Sequence, residues 1–163
     1  MRFLLLTISF LLFISCNTKT TKTLDIGTYR GVLHIQDNQE LPFIFEVKND
    51  SLLTIFNADE IITVDEITYK NDSVVIQTPV FEGYIIAKID ENSLKGSFIK
   101  PSLDQIVPFE AIKSNNRFSS NKEASINITG NWETVFNADH KVDTYLAKGI
   151  FTQTSNKVTG TFR

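Results

Sequence analysis

Apolar residues recur at every second position along most of this chain, and short polar clusters separate the segments in which they do so. The alternation runs through Tyr29, Gly31, Leu33 and Ile35, then Phe43, Phe45 and Val47, then Leu53 and Ile55. It resumes at Ile62 and Val64, with Ile67 and Tyr69 close behind, and at Val74 and Ile76, Tyr84 and Ile86, Leu94, Gly96 and Phe98, and Val107, Phe109 and Ala111. A period of two places alternate side chains on opposite faces of a strand, and no window carries the i, i+3, i+4, i+7 stripe of a helix. The separators are Asp37-Asn38-Gln39, Lys48-Asn49-Asp50, Lys70-Asn71-Asp72 and Asp90-Glu91-Asn92. Asn and Asp favour turns because their side chains bond the local backbone and tolerate positive φ. Strand, tight turn, strand is therefore the repeated unit. It predicts an all-β fold, an antiparallel meander of about seven or eight strands over 24–112, closed as a barrel or folded as a sandwich. Pro42 is expected to open a strand, Pro79 to close one, and Pro108 to sit on an edge or at a bulge.

From Ile112 to Ser125 the chain is polar and without period, which predicts a boundary near Asn115 between a first β unit over 24–113 and a linker over 114–129. A partial restart follows. Gly130-Asn131-Trp132-Glu133 echoes Gly27-Thr28-Tyr29-Arg30, and Val158 to Phe162 echoes Leu94 to Phe98. The segment 130–163 thus reads as the start of a second β unit, expected in three strands and expected to be truncated, since an apolar strand lies at Arg163 with no partner encoded.

Mature strands of this kind suit the composition. After residue 15 the chain holds 17 Ile, 10 Val and 16 Thr against 6 Ala and 8 Leu, a β-branched bias that favours pleated, half-buried strands. The charge of −3, from 16 Lys+Arg against 19 Asp+Glu, argues against a nucleic-acid-binding face. One cysteine cannot form an internal disulfide or a C-x-x-C pair, and two histidines cannot supply a His₃ metal centre.

The start of the chain is of another kind. Met1-Arg2 precedes an uncharged run from Phe3 to Ile14, too short for the roughly 18 residues of a membrane span and fitting a signal-peptide core over 1–15. Ser15-Cys16 closes that run and resembles a bacterial lipobox, although Phe13 stands where lipoboxes usually carry Leu. The resemblance implies cleavage before Cys16 and acylation of it. Several acyl chains, at roughly 0.8 kcal/mol per buried CH₂, would anchor the protein to a membrane. An ordinary secretory signal or a structural cysteine is the alternative. Residues 16–23, polar and free of acidic side chains, read as a lipidated tether. The address implied is the bacterial cell envelope, facing the periplasm.

A family resemblance emerges from the ordered segments Gly27 to Leu33, Glu40 to Val47, Asn57 to Ile67, Asp72 to Phe81, Val107 to Ala111, Arg117-Phe118, Gly130 to Glu133 and Val158 to Phe162. In that order they resemble the N-terminal β-rich region of lipid-anchored TlpA/ResA-like thioredoxin-family proteins. The family implies a thiol-disulfide oxidoreductase whose W-C-x-x-C motif lies in a thioredoxin domain after the β region. No residue here matches that redox pair, so the resemblance supplies no catalytic residue and no cofactor.

Other candidates are weighed residue by residue. Gly130-x-Trp132 resembles the strand opening of lipocalin-like barrels and would suggest a small apolar ligand, against the simpler reading of a core tryptophan. The phenylalanines of the mature chain mostly fall on the inner face, where packing explains them. Asp139, His140 and Asp143 could hold a metal loosely, but a solvated turn explains them and no metal is expected. Asp59, Glu60, Asp65 and Glu66 alternate with Ile62 and Val64, as on a solvated strand face. Asp50-Ser51-Leu52 and Asp72-Ser73-Val74 resemble bacterial O-glycosylation acceptors at Ser51 and Ser73, although turn chemistry alone selects such residues.

Two functions follow. The first is a non-catalytic β module that anchors and positions a redox domain and contacts envelope proteins. The alternative is a free-standing lipocalin-like lipoprotein that binds a small apolar ligand.

Overall fold

The computed structural model describes residues 21–118, 122–139 and 143–163, which form two compact units, the first running to Arg117 and the second spanning Phe118–Arg163. Cys16, the apolar run before it and His140 lie outside the described residues. Both units are all-β, and most successive strands within them are joined by short turns.

Nine strands build the first unit: β1 (Gly27–His34), β2 (Glu40–Asn49), β3 (Leu52–Asn57), β4 (Glu60–Val64), β5 (Ile67–Lys70), β6 (Ser73–Thr78), β7 (Gly83–Ile89), β8 (Ser93–Lys100) and β9 (Gln105–Lys113). They form one antiparallel sheet in the order β4-β3-β2-β1-β9-β8-β7-β6-β5. Every neighbour but one is also a sequence neighbour, and the exception, β9 against β1, curls the sheet back on itself. Because β4 and β5 are each antiparallel to strands that run the same way, they run in one direction themselves. Residues 60–70 are therefore a single broken strand that pairs with β3 through its first half and with β6 through its second. The break falls at Asp65-Glu66, and the Gln77 amide donates to the Glu66 carbonyl at 3.0 Å on its far side. This interruption gives nine strands where the alternation predicted seven or eight.

Inward positions make the core. Phe109, Leu53, Ile76, Leu94, Val47, Val64 and Val74 are fully buried, each worth roughly 1.5–3 kcal/mol of transfer free energy. Tyr29 stacks on Phe45 with centroids 5.1 Å apart, and Phe43 lies 6.2 Å from Phe109. On β7 the inward face is Ile85, Ala87 and Ile89, not Tyr84 and Ile86. Apolar residues there occupy both parities, so alternation alone could not choose between the faces. Ile35 falls beyond β1 and is exposed. Both strand prolines avoid a second ladder: Pro42 lies outside the β2–β3 pairing, and the β1–β9 pairing ends at Phe109, one residue from Pro108.

The second unit is a three-stranded sheet, β10 (Gly130–Phe136), β11 (Tyr145–Thr154) and β12 (Lys157–Phe162), in the order β10-β11-β12. Its aromatic face joins Phe136 to Tyr145 at 5.0 Å and to Phe162 at 5.1 Å, with Phe151 5.6 Å from Phe162. Trp132, expected in a core, is 49% exposed.

Candidate functional site

One end of the nine-stranded unit opens into an apolar cup of about 430 Å³. Here β1, β3, β6 and β8 finish and β2 and β7 begin, so the lining comes from residues distant in sequence. Phe43, Ile55, Ile85 and Phe98 form its deeper wall, and Leu33, Leu41, Val80 and Phe81 its upper one. The deeper wall exists because Gly31 lies directly opposite Phe43 on the neighbouring strand. A Cβ on Gly31 would stand 2.6 Å from the Phe43 ring tip, so glycine lets the ring lie flat across β1. The upper wall is left to solvent: Val80 is 59% exposed, Leu41 47% and Phe81 44%.

The polar groups of the cup are mostly committed to the fold. Thr78 Oγ1 donates to the Gly83 carbonyl at 2.6 Å, which ties the loop carrying Val80 and Phe81 to the end of β6. Asn57 Nδ2 donates to Glu60 Oε2 at 3.1 Å. Two cations, Lys100 and Arg117, also line the cup, and each has partners of its own. Arg117 is placed by two long-range bonds: its Nε donates to the Pro42 carbonyl at 2.9 Å, and Arg30 Nε donates to the Arg117 carbonyl at 2.9 Å. Lys100 Nζ stands 3.8 Å from Glu82 Oε2, a long and exposed contact. No carboxylate belongs to the lining itself.

The opposite end is closed. Leu24 packs into the core beneath Tyr29 and Tyr69. The Tyr29 hydroxyl donates to the Asp25 carbonyl at 3.0 Å, and burial followed by the nearby Asp25 charge pushes its pKa up from 10.0. Burial likewise raises Tyr69, whose hydroxyl sits beside the Leu24 backbone without a well-formed hydrogen bond. Ser51 and Ser73 both lie at this closed end, Ser51 on the β2–β3 turn and Ser73 as the first residue of β6. Ser51 Oγ donates to Asn49 Oδ1 at 3.0 Å and Ser73 Oγ to Asp72 Oδ1 at 3.3 Å. Each serine thus bonds a neighbour at or beside its turn. Asp72 in turn meets Lys88 Nζ at 3.1 Å, and that hydrogen bond holds its pKa below the usual carboxylate value.

Asp59, Glu60, Asp65 and Glu66 are all exposed. Among the described residues no three His, Cys, Asp or Glu side chains gather as a metal site, and no helix is long and apolar enough to cross a membrane. A groove of about 420 Å³ along Trp132, Leu146 and Arg163 in the second unit is open and shallow, and encloses no ligand-sized space. The cup itself escaped the sequence reading, because Lys100, Arg117 and the apolar rim converge only through the barrel's closure. No protein-family model matches the chain, and no curated protein matches it.

Proposed function

We propose that this chain is the non-catalytic N-terminal β module of a membrane-anchored, TlpA-like thioredoxin-family lipoprotein, held by acylated Cys16 in the cell envelope. In that role it positions a disulfide-reducing domain and contacts envelope proteins. The observation that carries this reading is the order in which the resembling segments fall on strands: β1, β2, β4, β6, β9, β10 and β12 in turn. The restart at Gly130 supports it, since β10 and β12 carry the last two of those segments. The reading frame beyond Arg163 tests it. A frame encoding W-C-x-x-C within a thioredoxin-like domain is expected, and a stop codon soon after Arg163 would overturn the proposal.

A second reading has its own support in the 430 Å³ apolar cup, a volume within the roughly 300–1,000 Å³ of small-molecule sites. On this reading the nine-stranded unit binds a small apolar ligand, as lipocalin-like proteins do, whether or not a redox domain follows. Saturable binding of an apolar probe to the purified chain is expected, and complete absence of binding would exclude it.

A further inference from the structure

We infer that the cup binds a straight-chain carboxylate of about ten carbons, its tail against Phe43, Ile85 and Phe98 and its headgroup at Lys100 and Arg117. The inference rests on the second reading, that the cup takes an apolar ligand, and adds the ligand's class.

Size comes first. A carboxylate of that length has about twelve heavy atoms, which at roughly 30 Å³ each, the liquid volume of a water molecule, fill some 360 Å³. The cup offers about 430 Å³. Its walls provide almost nothing for a polar ligand body to bond, because Thr78 and Asn57 already hold partners. A flexible hydrocarbon asks for no such bonds. Each methylene transferred from water to the walls contributes about 0.8 kcal/mol of favourable burial.

Charge then selects the headgroup. Both ionised residues of the lining are cations, Lys100 and Arg117, and both are only partly buried, as an amphiphile's emerging head requires. Glu82 is the nearest competitor for Lys100, but its side chain is 75% exposed and the contact spans 3.8 Å. A ligand carboxylate resting beside the apolar wall would be less hydrated than Glu82 and would form the stronger charge-assisted bond. An ammonium headgroup would meet repulsion at the same place.

Titration calorimetry of the purified full chain with decanoate, 1-decanol and decyltrimethylammonium tests this. Decanoate should bind with one-to-one stoichiometry about tenfold more tightly than decanol, with the ammonium weakest. Lys100→Gln should weaken decanoate about tenfold and leave decanol unchanged. Val80→Asp, on an exposed loop that carries no core packing, should weaken decanoate further by bringing an anion to the mouth. Amide shifts induced by decanoate should centre on Gly83 and Phe98. Equal affinity for decanoate and decanol would overturn the headgroup assignment while the cup stands. Failure of all three probes to bind would overturn the cup reading itself.

Discussion

Tyr29 and Trp132 are the same device used twice. Each stands two residues after a glycine that opens a strand with positive φ, +137° at Gly27 and +140° at Gly130. Each donates a side-chain hydrogen to the carbonyl four residues earlier, the Tyr29 hydroxyl to Asp25 at 3.0 Å and the Trp132 indole N–H to Ile128 at 2.8 Å. A positive φ folds the preceding segment back under the aromatic ring, and only glycine adopts it without a Cβ penalty. The two rings differ in burial, 4% exposed against 49%. Tyr29→Phe should therefore cost about 1 kcal/mol by removing a part-buried hydrogen bond, whereas Trp132→Phe should cost less than about 0.5 kcal/mol because water can replace the exposed donor. Urea unfolding of the two variants measures both.

The paired hairpins β7–β8 and β11–β12 repeat a second feature. Gly96 faces Ala87 and Gly160 faces Phe151, with equal spacing along the chain. A Cβ on Gly96 would stand 2.0 Å from the Ile86 carbonyl oxygen and 2.6 Å from Ala87 Cα, both of them backbone. Gly96→Ala should force the two strands apart and destabilise the unit by about 1–3 kcal/mol, read as a lower denaturation midpoint.

Alkaline pH should weaken the first unit through its buried phenols. Burial raises both Tyr29 and Tyr69 above 10.0, so the folded state holds their protons more tightly than the unfolded chain. Their stabilisation is complete below the unfolded value and is lost as pH rises through the folded values. Urea midpoints should hold steady to about pH 9 and fall above 10, and the double variant Tyr29→Phe, Tyr69→Phe should flatten the fall. An unchanged alkaline slope in that variant would remove the phenols as its cause.

Hydrogen exchange should separate the two units. Gly149 is the single buried position among the described residues of the second unit, while the first encloses a continuous core. Three strands approach the minimum for independent stability, and then only with a covered apolar face. Amides after Gly130 should exchange faster than those of β1 to β9. Uniform protection across both would mean that the units share one core.

Membrane attachment should depend on one atom, the Cys16 sulfur. Cys16→Ser should move the protein to the soluble fraction and block cleavage before position 16. A serine variant that remains membrane-bound at the mature mass would refute acylation.

The strand class, the turns and the restart at Gly130 were all legible along the chain, because period-two burial and Asn/Asp turn chemistry are local properties of the backbone. Alternation also placed most inward residues correctly, from Tyr29 to Ala111. It failed on β7, where Tyr84 through Ala87 offer apolar side chains to both faces and only the neighbouring strands decide which is covered. The choice between barrel and sandwich was likewise not local. It turns on β9 returning to β1 and on the break at Asp65-Glu66, which lets one strand serve β3 and then β6. The cup belongs wholly to the tertiary level. Arg117 reaches its rim through Pro42 and Arg30, 75 and 87 residues away, and such convergence leaves no periodic trace in the sequence because it arises from closure of the sheet.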